Sequence, residues 1–125
     1  MKSIALFGLL ALAVLATTGA KYTDKYDNTD IEEILNNDRL LLGYIKCVLD
    51  EGPCTPDGKE LKSHIQEGLE TNCAECTVAQ RTNMEKIFRH LINKEHEHWE
   101  ALKKKFDANN VYAQKYEDDL KKFMN

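Results

Sequence analysis

The apolar positions of this chain fall into three patterns, none with the period-two alternation of a strand. From Ile4 to Leu15 they run almost unbroken, from Ile31 to Ile92 they recur at helical spacing, and from Trp99 onward they return in shorter stretches. Met84, Ile87, Phe88, Leu91 and Ile92 step by three, one, three and one, which places them on one face of an α-helix. Leu61, Ile65 and Leu69 step by four and form a narrower stripe with His64 at its edge. Leu40, Leu41, Leu42, Tyr44, Ile45, Val48 and Leu49 wrap more than half of another helix, which predicts an element nearly surrounded by its neighbours. Two shorter sets, Ile31, Ile34 and Leu35 near the start and Trp99, Leu102 and Phe106 further on, fit the same period.

Capping residues divide these patterns. Thr29-Asp30-Ile31-Glu32 and Thr77 with Gln80 have the capping-box form, Asn36-Asn37-Asp38 interrupts the first stripe, and Pro56 behind Thr55 suits a first helical turn. Asp107-Ala108-Asn109-Asn110 supplies the last stop and the next cap. The predicted fold is all-α, with six short helices: one opening at Thr29, then residues 39–49, 57–70, one opening at Thr77, residues 97–106, and a last one carrying Val111, Tyr112, Tyr116, Leu120 and Phe123.

The N-terminal run has a different meaning. Its twelve residues follow a single charge, Lys2, and lead to the small residues Thr18-Gly19-Ala20, the layout of a secretory signal peptide and too short to cross a bilayer. Residues 1–20 are expected to be removed and 21–125 to form one secreted helical ligand-binding domain. Removal takes Lys2 away, so 16 Lys+Arg face 21 Asp+Glu and the mature net charge is −5. An acidic surface repels phosphate backbones and anionic headgroups, so no nucleic-acid partner and no stable membrane anchoring are expected.

Cys47, Cys54, Cys73 and Cys76 all lie in the mature part, spaced C-x6-C-x18-C-x2-C. An even number in an oxidising compartment points to two disulfides in a domain whose core is small. Three connectivities are open. Pairing of near neighbours, Cys47 with Cys54 and Cys73 with Cys76, is favoured because Asp50-Glu51-Gly52-Pro53 reads as a turn that folds the first pair together. A zinc site and a redox pair at Cys73-Ala74-Glu75-Cys76 compete, but the gap in the first pair does not suit zinc and no βαβ pattern surrounds the second.

Little else carries chemistry. His64, His90, His96 and His98 include no i, i+4 pair with an intervening glutamate, and no nucleophile elbow occurs, so neither an enzyme, a metal nor a cofactor is expected. Glu95-His96-Glu97-His98 reads as a solvated helix boundary, His90 as exposed, and His64 as a core-edge histidine. Lys103-Lys104-Lys105 and Lys121-Lys122 are candidates for a ligand carboxylate, but charges near helix C-termini also complement the helix dipole, and that is the reading adopted.

Several quoted segments together carry a resemblance: Tyr22-Thr23-Asp24-Lys25-Tyr26-Asp27-Asn28, the cysteine spacing, Gly52-Pro53-Cys54-Thr55-Pro56-Asp57-Gly58, Thr71-Asn72-Cys73 and Lys115-Tyr116-Glu117-Asp118. The chain closely resembles the insect chemosensory proteins over essentially its whole mature length. The resemblance implies six helices around an internal apolar channel, disulfides between neighbouring cysteines, and transport of long-chain lipids or semiochemicals through extracellular fluid. It places Tyr44 near the channel mouth and matches Trp99 to the family's tryptophan after the fourth helix. The family often has Asp-Pro-x-Gly where this chain has Asp107 to Asn110, and an aliphatic residue at Thr29. The expected channel wall is Ile45, Val48, Leu61, Ile65, Leu69, Met84, Ile87, Phe88 and Leu91, with Tyr44, His64 and Trp99 at its polar or aromatic margins. The expected partner is an apolar small molecule bound by a monomer; the alternative is an extracellular interaction factor in development or defence.

Overall fold

The computed structural model describes residues 22–125, and the expected signal peptide lies outside them. The described residues form seven α-helices and no strand. These are α1 Ile31–Leu35, α2 Asp38–Val48, α3 Pro56–Thr71, α4 Val78–Lys94, α5 His96–Phe106, α6 Val111–Lys115 and α7 Glu117–Phe123. The all-α expectation holds. The helix expected across residues 111–123 is two, because the turn at Tyr116 (φ −107°, ψ 20°) breaks it.

Local chemistry sets most of the boundaries. Asp30, rather than Thr29, caps α1, its carboxylate accepting from the Glu33 amide at 3.1 Å. Asn37 accepts from the Arg39 and Leu40 amides at the start of α2, and Thr55 accepts from the Gly58 amide behind Pro56. Thr77 and Gln80 complete the reciprocal capping box of α4. Asp107 accepts from the Tyr112 and Ala113 amides at 3.0 and 2.8 Å, so it starts α6 as well as stopping α5. Four non-glycine residues take left-handed backbone angles, Asp50, Asn72, Cys73 and Asn110, each in a reversal between helices.

The disulfides join Cys47 to Cys54 and Cys73 to Cys76, and no cysteine is free. The first closes the α2–α3 turn and the second the α3–α4 turn. Gly58 lets α3 begin tightly against α2. A Cβ there would stand 3.2 Å from Thr55 Oγ1, 3.3 Å from Cys47 Sγ and 3.4 Å from the Tyr44 ring.

The core is small and lies where α1, α2 and α4 meet. Leu35, Leu41, Ile45 and Leu91 are buried, with Ile31, Leu49, Ile87, Trp99 and Leu102 packed against them. Helix α1 packs on α2 and α4, α2 on α3, and α4 on α5 and α7. Two expectations fail here. Helix α2 is not nearly surrounded, since Leu40 and Leu42 remain 41% and 39% exposed beyond the reach of α1 and α3. His90 is not exposed: its side chain is 14% accessible and its Nε2 lies 3.8 Å from Glu95 Oε1, because α5 folds back on α4 at Glu95.

Candidate functional site

The residues expected to line a channel divide by depth. Ile45 and Leu91 are core residues, and Val48 is buried beside Cys47 at the end of α2. Ile87 and Trp99 pack on the core from α4 and α5. The remainder, Tyr44, Leu61, His64, Ile65, Leu69, Met84 and Phe88, are only half-buried. On α3 the fully buried residue is Gly58. Its apolar stripe therefore has more surface than the rest of the fold covers.

Polar groups tie this wall down around its edge. The Tyr44 hydroxyl donates to Asp57 Oδ2 at 2.6 Å, joining α2 to the first turn of α3. Burial pushes the Tyr44 phenol up, and the bond to Asp57 pushes the same way. Burial would raise the Asp57 carboxyl, but the bonds from Thr55, Tyr44 and the Gly58 amide hold it below its ordinary value. Further along, His64 Nε2 lies 2.8 Å from Glu60 Oε1, and the Tyr22 ring stacks on the imidazole with centroids 3.7 Å apart. The Tyr22 hydroxyl donates to Glu67 Oε1 at 2.6 Å. Burial and then that neighbouring carboxylate raise its pKa to about 12.

The C-terminal helices hold the other half of α3. Gln66 donates to the Tyr112 hydroxyl at 3.1 Å, Lys115 donates to the Glu70 carbonyl at 3.1 Å, and Tyr116 donates to the Leu69 carbonyl. Asp50, in the turn after α2, takes Lys62 of α3 and Lys105 of α5 as partners, and Lys105 also donates to the Val48 carbonyl at 3.0 Å. The hydrogen bonds from Lys105 and Lys62 hold the Asp50 carboxyl down at about 2.

On the far side of Trp99 the aromatic packing continues outward. Phe88 meets Trp99 edge-on at 5.8 Å and tilts against Phe123 at 6.2 Å. Arg89 sits 5.0 Å over the Phe123 ring and donates to the Lys122 carbonyl, while Asn93 donates to the Phe123 carbonyl, so α7 is fastened to α4.

Beside it opens a pocket of about 280 Å³ lined by Ile92, Trp99, Lys103, Ala113, Glu117, Leu120, Lys121 and Met124. Of the expected site residues it includes Trp99. Ile92 belongs to the stripe of Met84 to Leu91 and could have been singled out with it; Leu120 was read on the apolar side of the last helix, but nothing joined it or Met124 to Ile92 and Trp99, which lie 21 to 32 residues earlier. A larger, more open depression of about 430 Å³ is lined by Glu100, Lys103, Lys104, Asp107, Ala108 and Asn110, charged or polar residues apart from Ala108. Among the described residues no group of three or more histidine, cysteine or acidic side chains is placed to hold a metal ion. No helix among them is long and apolar enough to cross a membrane.

Residues 22–114 match the model of the insect pheromone-binding family A10/OS-D. The chain is 46% identical over 120 residues to allergen Tha p 1 of Thaumetopoea pityocampa, covering 96% of this chain and 95% of that protein. It is 42% identical over 116 residues to ejaculatory bulb-specific protein 3 of Drosophila melanogaster, covering 93% and 91%. A chemosensory protein solved in complex with bromo-dodecanol superposes with a TM-score of 0.74 at 46% identity, covering 79% of this chain and 99% of that one.

Proposed function

The chain belongs to the insect pheromone-binding family A10/OS-D, and on that premise we propose that it is a secreted, monomeric carrier of long-chain alcohols, aldehydes or acids. The observation that carries this reading is the incomplete burial of two apolar helix faces. Leu61, Ile65 and Leu69 on α3 and Met84 and Phe88 on α4 are apolar at helical spacing yet half-buried. A solid core would have covered them. A related chemosensory protein solved with bromo-dodecanol supports an alkyl chain as the occupant.

The energetics are sufficient without catalysis. Burying a dozen methylenes contributes about 10 kcal/mol at roughly 0.8 kcal/mol each. Lost translational and rotational freedom removes several kcal/mol, leaving micromolar affinity, about −8 kcal/mol. The flexible thioether of Met84 and the absence of a deep polar anchor on α3 favour broad selectivity. Polar groups at the edge, Tyr44 with Asp57 and Tyr22 with His64, can part without exposing the core of Leu35, Leu41, Ile45 and Leu91.

The test is displacement of a fluorescent apolar probe from residues 21–125 by 1-dodecanol. Uptake and displacement are expected in the micromolar range, together with a shift in emission from Trp99, the chain's single tryptophan. A protein that takes up no probe and retains no lipid when purified from its native fluid would instead favour the interaction-factor alternative.

A further inference from the structure

The pocket between α4, α5 and the C-terminal helices has an apolar floor and a charged rim. Ile92, Trp99 and Leu120 supply the floor, with Met124, itself 57% exposed, lining the same opening, and its wall carries two cations, Lys103 and Lys121, against one carboxylate, Glu117. Lys121 lies 3.1 Å from Glu117 on its own helix, and Lys103 lies 3.2 Å from Glu100, which is outside the pocket wall. Both are solvent-facing pairs one turn apart, the kind whose net strength is small. Neither lysine is therefore committed to its partner. Lys103 is also the less exposed of the two, its side chain 33% accessible against 65% for Lys121.

A ligand whose chain lies against Trp99 brings its polar end to this rim. A carboxylate arriving there meets charged donors and can displace Glu100 and Glu117 from them. An alcohol or aldehyde of the same length offers the lysines a neutral acceptor, which makes the weaker bond. We infer that this pocket seats the acyl chain of a fatty carboxylate with Lys103 and Lys121 as the clamp on its headgroup, so that the protein discriminates acids from alcohols of equal length. The assignment rests on the carrier reading and adds to it an order of preference among its ligands and the residues that set it. It also separates the lysine runs into two kinds, since Lys104 and Lys122 sit beside the clamp residues in sequence and do not line the pocket.

That separation provides the control. Affinities of dodecanoate and 1-dodecanol are measured by probe displacement at pH 8, where the acid is ionised. The proteins compared are the unaltered chain, a Lys103→Gln/Lys121→Gln variant, and a Lys104→Gln/Lys122→Gln variant that loses the same net charge. Charged hydrogen bonds exceed neutral ones by enough to predict about a fivefold preference for dodecanoate in the unaltered chain. The preference is expected to disappear in the first variant with dodecanol affinity unchanged, to survive in the second, and to shrink in 1 M salt, where charges are screened within about 3 Å. Equal affinities in the unaltered chain overturn the clamp and leave the carrier standing, as does a preference that survives the first variant or vanishes equally in both. Failure of both ligands to bind overturns the carrier and the clamp with it.

Discussion

Helices α3 and α4 are almost equal in length, 16 and 17 residues, and each carries an apolar stripe, yet different forces hold them in the molecule. Helix α4 touches α1, α5 and α7, and its Leu91 is 2% exposed at the centre of the core. Helix α3 packs mainly on α2, and its Leu61, Ile65 and Leu69 are half-buried. What secures α3 is its periphery: the Cys47–Cys54 bridge, Tyr44 on Asp57, Asp50 on Lys62, Tyr22 on Glu67, the bond from Gln66 to Tyr112, and those from Tyr116 and Lys115. Apolar burial stabilises in proportion to area, whereas a typical hydrogen bond contributes a net ~1 kcal/mol. A binding protein needs both kinds of attachment. On the proposed carrier reading α3, held by separate bonds at its edge, is the helix expected to open first, since local opening is drawn from the least buried elements.

The contrast is tested most severely by truncating one apolar side chain in each stripe. Leu91→Ala should cost about 3 kcal/mol, because it leaves a cavity with no room to collapse, and Ile65→Ala about 1 kcal/mol, because that side chain is only partly buried. Urea denaturation of both variants measures the difference. Equal losses would mean that α3 is as much a part of the core as α4.

Removal of the Asp50 carboxylate has a smaller effect, confined to a pH window. The folded carboxyl titrates at about 2, below its ordinary value of 3.8, because Lys105 and Lys62 bond to its charged form. A depressed pKa adds stability above the unfolded value, and that stability is lost as pH falls from about 4 towards 2. The unaltered chain should therefore be more resistant than Asp50→Asn at neutral pH, with the two acid-unfolding curves converging near pH 2. High salt should narrow the gap at neutral pH, since the carboxylate is exposed. Curves that stay parallel through this window would show that the ion pairs do not fasten α3 and α5.

The difference between the two helices was only half legible in the sequence. The stripe from Met84 to Leu91 and the spacing of Leu61, Ile65 and Leu69 announced both helices, and Thr55 and Thr77 marked their starts and Asp107 the end of α5, because caps are local chemistry. Neighbouring-cysteine pairing was legible for the same reason. Depth was not. Periodicity gives the apolar face of a helix without saying how much of it another element covers, so Leu61 and Leu91 looked alike, and Leu40 and Leu42 looked enclosed. Tyr116 carried no sign that it would break the last helix, and Leu120 and Met124 joined Ile92 and Trp99 only through the fold. Lys103 and Lys121 were visible as charges near helix ends, but their shared pocket depends on α7 returning to α4.

The finest probe of the contrast is Tyr22→Phe. The substitution keeps the ring that stacks on His64 and removes only the hydroxyl that donates to Glu67. Because burial and the Glu67 carboxylate raise the Tyr22 pKa to about 12, the bond stabilises the fold below the ordinary tyrosine value of 10 and is lost as pH climbs through 12. At neutral pH its removal should cost no more than about 0.5 kcal/mol, since the bond is solvent-exposed. Global unfolding will barely register such a change, but amide exchange resolves it by position. If α3 hangs from its edge, exchange should quicken around Glu67 to Thr71 while amides near Leu91 keep their protection. Absorbance titration should also lose the tyrosine that ionises at about 12. Equal acceleration in α3 and α4 would show that the two helices open as one cooperative unit, and the division into a buried scaffold and a tethered wall would then have to be abandoned.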